Sequence, residues 1–422
     1  MKNIKNLRWW IIILVAIITI INYIDRGALS IMWPEISKEL GMTKEEYSFI
    51  AILFTIAYAV SQSVSGKIYD WIGTRLGFVM SVVIWSVSEA LHAMARGVLS
   101  FSVVRFFLGF GEAGNWPGAT KSNAEWFPVK ERALAQGIFN SGASIGSIIS
   151  PPLIAFLYLW VGWKITFIIL GVLGILWLVP WLIINKALPA KHPWITEEEK
   201  EYILSDQREE NMGNDYNPSW LEIMKQKESW SVLASRFFLD PIWWLFVFWL
   251  PIYLADKFGF NIKQIGLFAW VPYVGAASGA IFGGWIAGFW MKRGWELNKA
   301  RKAAIVLGGL IMLPSLLLTA LAATPIIAVL LIALILFGFQ VAIGNIQTLP
   351  SDFFTGKSVG SLAGAGGTTA AIGVILTTYV VPLITRESYT PFFVMGALLV
   401  PLGILSVFVF SGKIRKVDFK HK

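Results

Sequence analysis

The chain has 422 residues, 56% of them hydrophobic and only 14% charged, with a mean hydropathy of +0.64 and a formal net charge of +9. A soluble domain carries roughly 25% charged residues, and a soluble body this apolar would turn large patches to water, whereas a bilayer accepts them. The absence of cysteine excludes disulfide frames, thiolate metal sites and cysteine nucleophiles, and three histidines leave little for a histidine-rich metal centre.

A helix needs about 20 apolar residues to cross the hydrocarbon core. Runs of that kind are predicted at 9–31, 46–66, 76–95, 98–120, 132–158 and 163–185, and again at 230–255, 263–291, 302–322, 325–348, 358–384 and 388–411. The first contains no small-residue cleavage site and is read as a span, not a cleaved leader. Between the two sets lies a polar stretch with Pro189, His192, Pro193, Glu197, Glu198, Glu199 and Pro218, in which Thr196 and the acidic run predict one surface helix. The expected fold is therefore an all-α membrane protein of twelve transmembrane helices in two pseudo-symmetric six-helix halves. Its parts are an N-terminal half at 1–185, a cytoplasmic linker at 186–229, a C-terminal half at 230–411 and a tail at 412–422. Proteins built this way bind substrate near the midplane, between the halves.

About 26 of the 35 Lys and Arg fall at the termini, in the linker and in alternate loops, and about 7 fall on the opposite side. The basic balance thus reads as membrane orientation and not as nucleic-acid binding, and places both termini in the cytoplasm. A weak internal repeat supports two halves. Gly66-Lys67-Ile68-Tyr69-Asp70-Trp71-Ile72-Gly73-Thr74-Arg75 follows span 2, and Gly284 to Gly288 with Lys292-Arg293-Gly294 follows span 8, where Gly288 stands in the place of Asp70. Gly66, Asp70, Gly73 and Arg75 are expected to be structural and gating residues, with Asp70 pairing with Arg75 and a neighbouring helix N-terminus.

Charges inside spans are costly and mark function. Asp25 and Arg26 lie in span 1, Arg105 and Glu112 in span 4. The latter two are seven residues apart, about 10 Å along one helix face. They suit two stations on a cavity wall, a fixed cation and a titratable carboxylate. Asp25 and Arg26 point about 100° apart, which suggests separate partners, Arg105 for Asp25 and the cavity for Arg26. An arginine can clamp a carboxylate with two bonds, and a carboxylate beside it changes its proton affinity when an anion enters or leaves, so the pattern implies anion–proton symport. Glu89 and His92 share a face of span 3 and form a further proton-active candidate pair or an interface contact. Tyr23, Tyr58, Asn115, Asn140, Asn345, Gln347, Thr368 and Thr369 are candidates for hydroxyl recognition, and Trp116, Trp243, Trp244 and Trp270 for stacking on a sugar ring. Gly109, Gly111, Gly114 and Gly118 in span 4, with Gly137, Gly142 and Gly146 in span 5, permit close helix approach; Pro117, Pro151 and Pro152 break backbone bonding.

The Gly66–Arg75 stretch resembles the cytoplasmic signature of the major facilitator superfamily. Asn22-Tyr23-Ile24-Asp25-Arg26, the run Arg105 to Gly118, Glu125-Trp126-Phe127-Pro128, Glu131-Arg132-Ala133 and Ile145-Gly146 before Pro151-Pro152 resemble its anion:cation symporter branch. Leu7-Arg8-Trp9-Trp10, Trp116 to Ala124, and Ala234 to Leu250 with Asp240-Pro241 look most like bacterial hexuronate transporters. The resemblance implies proton-coupled uptake of glucuronate or galacturonate across the inner membrane, by a protein that works as a monomer with the proton as its coupling ion and no cofactor or metal. It implies that Asp25 and Glu112 couple protons, that Arg26 contacts the substrate carboxylate, and that Tyr58 and Asn140 line the cavity. Tyr23, Arg105, Asn115, Trp270, Asn345 and Thr368 complete the expected substrate-binding set. Gly288 departs from the acidic residue expected in the second signature copy, and Glu89 stands outside the pattern. Another organic anion (an aldonate, aldarate, aromatic or dicarboxylic acid) would use the same clamp. A transporter-like receptor would usually add a longer tail than 411–422, and an enzyme would need a nucleophile–base pair, metal cluster or phosphate loop that the sequence does not display.

Overall fold

In hydrocarbon each backbone N–H must find its acceptor within its own segment, so long apolar runs fold as helices. The computed structural model describes residues 4–210, 220–354 and 357–417. These are helical apart from short turns and one backbone bridge, Ile4 to Ile195. Residues 211–219 of the expected linker, with Pro218, and the end of the expected tail lie outside the described residues. The chain divides into two units, Met1–Asn214 and Asp215–Lys422.

The first unit holds α1 (Leu7–Leu40), α2 (Lys44–Leu91), α3 (Val98–Glu112), α4 (Asn115–Trp126), α5 (Val129–Ile184) and α6 (Glu197–Glu210). Two spans share α2 and two share α5. In each the helix reverses at a single glycine of positive φ, Gly73 (φ 77°) and Gly162 (φ 74°), where a side chain would strain the turn. The expected Gly66–Arg75 loop is therefore narrower than its motif: Gly66 and Asp70 sit in the helical arm 44–72 and Arg75 in the arm 74–91. Span 4 is broken into α3 and α4. Pro117 has no N–H, and its ring crowds the carbonyl of Ala113, so the helix stops at Glu112 and restarts at Asn115.

The second unit holds α7 (Trp220–Lys225), α8 (Lys227–Phe258), α9 (Ile262–Phe268), α10 (Val271–Lys292), α11 (Leu297–Ala320), α12 (Pro325–Gln347), α13 (Leu349–Phe353), α14 (Lys357–Ile384) and α15 (Thr390–Ser411). Pro272 interrupts span 8 between α9 and α10, and Pro350 interrupts span 10 between α12 and α13, as Pro117 interrupts span 4. Nine helices among the described residues are long and apolar enough by themselves to cross a membrane. The paired arms of α2 and of α5 and the broken α3–α4 bring these to the twelve expected spans.

The packing order repeats in the two units. In the first, α1 lies along α5, and α2 along α3 and α5; in the second, α8 lies along α14 and α15, α12 along α10 and α11, and α11 along α15. Small residues set these approaches. A Cβ on Gly142 would stand 2.6 Å from the Ala16 carbonyl, and one on Gly146 2.6 Å from that of Ile20. The other arm of α5 holds the same helix, with Trp177 Nε1 donating to the Leu14 carbonyl at 2.9 Å. In the second unit Gly373 of α14 meets the Phe237 carbonyl of α8, and Gly403 of α15 meets Leu239.

The linker is fastened to the first unit. Glu199, near the start of α6, accepts from the backbone N–H groups of Leu7 (2.9 Å) and Arg8 (3.2 Å) and from Arg8 Nη1 (2.8 Å). The first turn of α1 lacks a side-chain cap of its own, so this carboxylate satisfies its free donors and complements its dipole. Arg8 Nε also donates to Glu131 at the start of α5 (2.9 Å), and Tyr202 of α6 donates to the same carboxylate (3.1 Å).

Gly109→Ala is expected to cost about 2 kcal/mol of stability and so lower the thermal unfolding midpoint in detergent, because its Cβ would lie 2.5 Å from the Phe54 carbonyl. Gly137→Ala, with open space at its Cβ, should instead raise stability by up to about 0.8 kcal/mol through helix propensity. Tryptophan-fluorescence melts of the two purified variants check both.

Candidate functional site

The break after α3 leaves Glu112 as that helix's last residue, fully buried. There it meets Arg26 from the middle of α1. Arg26 Nε donates to Glu112 Oε2 at 2.9 Å, and Nη2 lies 2.9 Å from the same oxygen. Nη2 also donates to Asn22 Oδ1, one turn earlier on α1, at 3.0 Å. The planar faces of the guanidinium rest on aromatic rings, with Cζ 4.7 Å from the Tyr23 ring centre and 4.9 Å from that of Tyr58. Trp116, at the start of α4, meets Tyr23 edge-on at 6.5 Å. Gly146 of α5 shapes this wall as well, since a Cβ there would lie 2.8 Å from Tyr23 Cβ. A buried cation is thus held by one carboxylate, one amide and two phenol rings, an arrangement that suits exchange of the carboxylate for another.

Arg105, about two turns into α3, donates through Nη2 to the backbone carbonyl of Arg26 at 2.8 Å, and its Cζ lies 5.1 Å from the Phe54 ring centre. The expected Asp25–Arg105 bond is not formed. The Arg26 carbonyl carries a second lone pair beyond its helical bond and takes the guanidinium hydrogen instead. Asp25 is fully buried, and neither of its oxygens has a hydrogen-bond partner among the described residues; it lies within electrostatic reach of Glu89, Glu112 and Arg105. Asn115 donates to Thr19 Oγ1 of α1 at 3.1 Å, tying the start of α4 to α1 below the cluster.

Of the expected substrate-binding residues, Tyr23, Arg26, Tyr58 and Arg105 come together around Glu112, with Asn115 close by. Asn140 does not join them; it is exposed on α5 and accepts from Gln136, one turn earlier, at 3.3 Å. The other three belong to the second unit. Trp270 sits at the α9–α10 break and donates to the Leu267 carbonyl at 2.8 Å. Asn345 is buried and saturated: it accepts from Arg301 at 3.1 Å and donates to the Gly283 and Val341 carbonyls at 3.2 and 2.9 Å. Thr368 is exposed and bonds back to the Gly364 carbonyl of its own helix at 3.3 Å. Trp243 stacks on Phe339 at 6.0 Å and meets Tyr273 edge-on at 5.8 Å. Sequence reasoning passed over Arg236 and Asp240, a pair inside α8 at 2.7 Å, although their spacing of four was a usable signal.

At the signature, the expected Asp70–Arg75 pair is absent. Lys121 of α4 donates to Asp70 at 2.6 Å, while Arg75 donates to the Leu182 and Lys186 carbonyls at 3.3 and 3.4 Å. The last carbonyls of α5 have no intrahelical donors, and a cation there also complements the helix dipole. Thr74 donates to Glu125 at 2.7 Å, a second strap across the same end. Among the described residues, no group of three or more His, Asp or Glu is placed to hold a metal ion.

Residues 15–378 match the family model of the Major Facilitator Superfamily. The chain is 33% identical to the hexuronate transporter of Escherichia coli (strain K12) over 411 residues, covering 96% of this chain and 94% of that one. It is 34% identical to the galacturonate transporter of Dickeya chrysanthemi over 316 residues, covering 74% and 91%. Among solved structures, a bacterial homolog to the human lysosomal transporter Spinster superposes with a TM-score of 0.70 at 16% identity, covering 97% of this chain and 95% of that one, a likeness of fold.

Removing the carboxylate from the central pair should leave a buried guanidinium without its counter-charge. Glu112→Ala is expected to cost about 3–5 kcal/mol of stability, whereas Glu112→Gln keeps an oxygen for Arg26 and loses clearly less. Unfolding midpoints of the two variants in the same detergent decide this, and equal midpoints would contradict the pairing.

Proposed function

Because the chain belongs to the major facilitator superfamily, and so is a multi-pass membrane transporter and not an enzyme, we propose that it takes up a sugar-acid anion together with protons, a hexuronate such as glucuronate or galacturonate, by alternating access. The observation that carries this reading is the buried Arg26–Glu112 pair between Tyr23 and Tyr58. Arginine keeps its charge, so Arg26 needs an anion in every state of the cycle. The carboxylate of a sugar acid can take the place of Glu112, with two parallel N–H···O bonds, while the tyrosine rings pack against the apolar face of the pyranose.

That exchange couples the two fluxes. Once displaced from Arg26, Glu112 is a buried carboxylate without its cation, a state that is relieved by taking up a proton. Release of the substrate returns Glu112 to Arg26 and frees the proton. Asp25, with no hydrogen-bond partner at either oxygen among the described residues, is the second carrier in this scheme. Tyr23, Tyr58 and Asn115 serve orientation, and Arg105 holds the backbone of Arg26 in place. Asn140 and Thr368 remain candidate contacts for the hydroxyl groups and Trp270 for stacking on the sugar ring, while Asn345 would have to give up one of its bonds to Arg301, Gly283 or Val341 to serve. Gly66, Asp70, Gly73 and Arg75 serve the gate, through the Asp70–Lys121 and Arg75–α5 contacts. The names of the hexuronate and galacturonate relatives support this substrate class. The proposed location is the inner membrane, with both termini in the cytoplasm as the Lys and Arg distribution favours.

Radiolabelled glucuronate should accumulate in proteoliposomes under an inward proton gradient. Glu112→Gln should abolish that accumulation and spare counterflow exchange. Arg26→Lys, a point charge in place of a planar fork, should weaken glucuronate affinity at least tenfold, about 1.4 kcal/mol. If neither uronate moves while an aldonate, aldarate or aromatic acid does, the substrate assignment falls and the clamp stands.

A further inference from the structure

The first unit buries more ionisable groups than the Arg26–Glu112 pair requires. Asp25 of α1, Glu89 and His92 at the end of α2, and Arg105 of α3 are each no more than 3% exposed. Both oxygens of Glu89, both oxygens of Asp25, Nε2 of His92 and Nη1 of Arg105 are buried and have no hydrogen-bond partner among the described residues. Asp25 lies within electrostatic reach of Glu89, Glu112 and Arg105, and Glu89 within reach of Arg105 and Glu112. His92 Nδ1 is 2.8 Å from the Ser88 carbonyl, which can only accept, so the ring hydrogen is on Nδ1. That nitrogen is 3.9 Å from Glu89 Oε2, and the ring lies flat on Phe167 of α5 at 4.8 Å, a setting for a neutral imidazole.

Charge neutrality then fixes the proton inventory. Glu112 answers Arg26. Arg105 is the remaining guanidinium of the cluster among the described residues, within electrostatic reach of both Asp25 and Glu89 but bonded to neither. Two ionised carboxylates against one cation would leave a buried net negative charge with no donor on any of four oxygens, which apolar surroundings do not tolerate. We propose that Asp25 and Glu89 share one retained proton, which makes Glu89 a third proton-bearing residue that sets the pH range over which Asp25 exchanges its proton. This rests on the proton-coupled reading above and extends it to a carboxyl outside the expected Asp25 and Glu112. Like charges that cannot both ionise are a known way of holding a proton at neutral pH. Glu89 lies two residues before the end of α2, and His92 follows directly after that end.

Two measurements on the full-length protein test it. In proteoliposomes, the pH of half-maximal glucuronate uptake in Glu89→Gln should move about one unit toward acid, because Asp25 then ionises beside Arg105 without a like charge. Glucuronate affinity at the acid plateau should be unchanged, and Glu89→Asp should restore the wild-type profile. An unaltered pH profile in Glu89→Gln overturns the proposal. Infrared spectroscopy of the substrate-free protein at neutral pH needs neither transport nor a uronate. A protonated-carboxyl band in the wild type, kept in Glu89→Asp and lost in Glu89→Gln, supports the shared proton, and absence of that band from the wild type overturns it even if Glu89→Gln fails to fold. Failure of the substrate reading would show separately, as a wild type that accumulates neither uronate but retains the band.

Discussion

The Arg26 guanidinium cannot shed its charge, and it lies where water does not reach. The surrounding architecture follows from giving that cation an anion. Glu112 reaches it because Pro117 ends α3 at that residue; a continuous helix would extend the backbone bonding past Ala113 and alter the exit of the chain into α4. Tyr23 lies against one face, on the side where Gly142 and Gly146 let α5 draw close to α1, and Tyr58 of α2 lies against the guanidinium as well. The glycines and the proline, which carry no chemistry, thus decide where the chemistry sits.

The same charge constrains the mechanism. A single carboxylate holding a permanent cation is a one-place switch, since whichever anion occupies Arg26 leaves the other in need of a proton. In the proposed cycle no large movement of the side chains is needed for coupling, only exchange at one guanidinium edge. The shared proton proposed for Asp25 and Glu89 adds a second titrating charge beside it, linked to the first through Arg105, whose bond to the Arg26 carbonyl ties the two guanidiniums to one backbone position. Binding at Arg26 and proton occupancy at Asp25 are then coupled by electrostatics over a few ångströms in a medium that screens poorly.

The spans were legible because hydrocarbon thickness imposes a length that few other structures need, and the in-span charges were legible because burial makes them costly. What the sequence did not disclose is register between helices. Spacing along α3 placed Arg105 and Glu112 on one face, yet it could not say that α1 would offer a carbonyl to Arg105 and a guanidinium to Glu112. The signature failed in the same way: Asp70 and Arg75 are five residues apart in the chain, but the Gly73 reversal separates them and each finds its partner on another helix. Glu199 read as one member of a solvated acidic run, because nothing local marks the single carboxylate that caps α1. Arg236 and Asp240 were readable from their spacing alone.

The two units repeat their packing but not their chemistry. Counting back five residues from the proline that breaks the span gives Glu112 before Pro117 and Asn345 before Pro350. The first is a carboxylate engaged with a buried guanidinium. The second is a neutral amide whose oxygen and nitrogen are already taken by Arg301, Gly283 and Val341. Within α8, Arg236 bonds Asp240 and reaches the Ala363 carbonyl of α14, while Asp240 Oδ1 is buried without a hydrogen-bond partner among the described residues. Aromatic contacts also join helices of this unit, with Trp243 against Tyr273 and Phe339. In the proposed cycle the first unit carries the ion switch: Arg26 and Glu112 join two helices, whereas Arg236 and Asp240 stand one turn apart on a single helix.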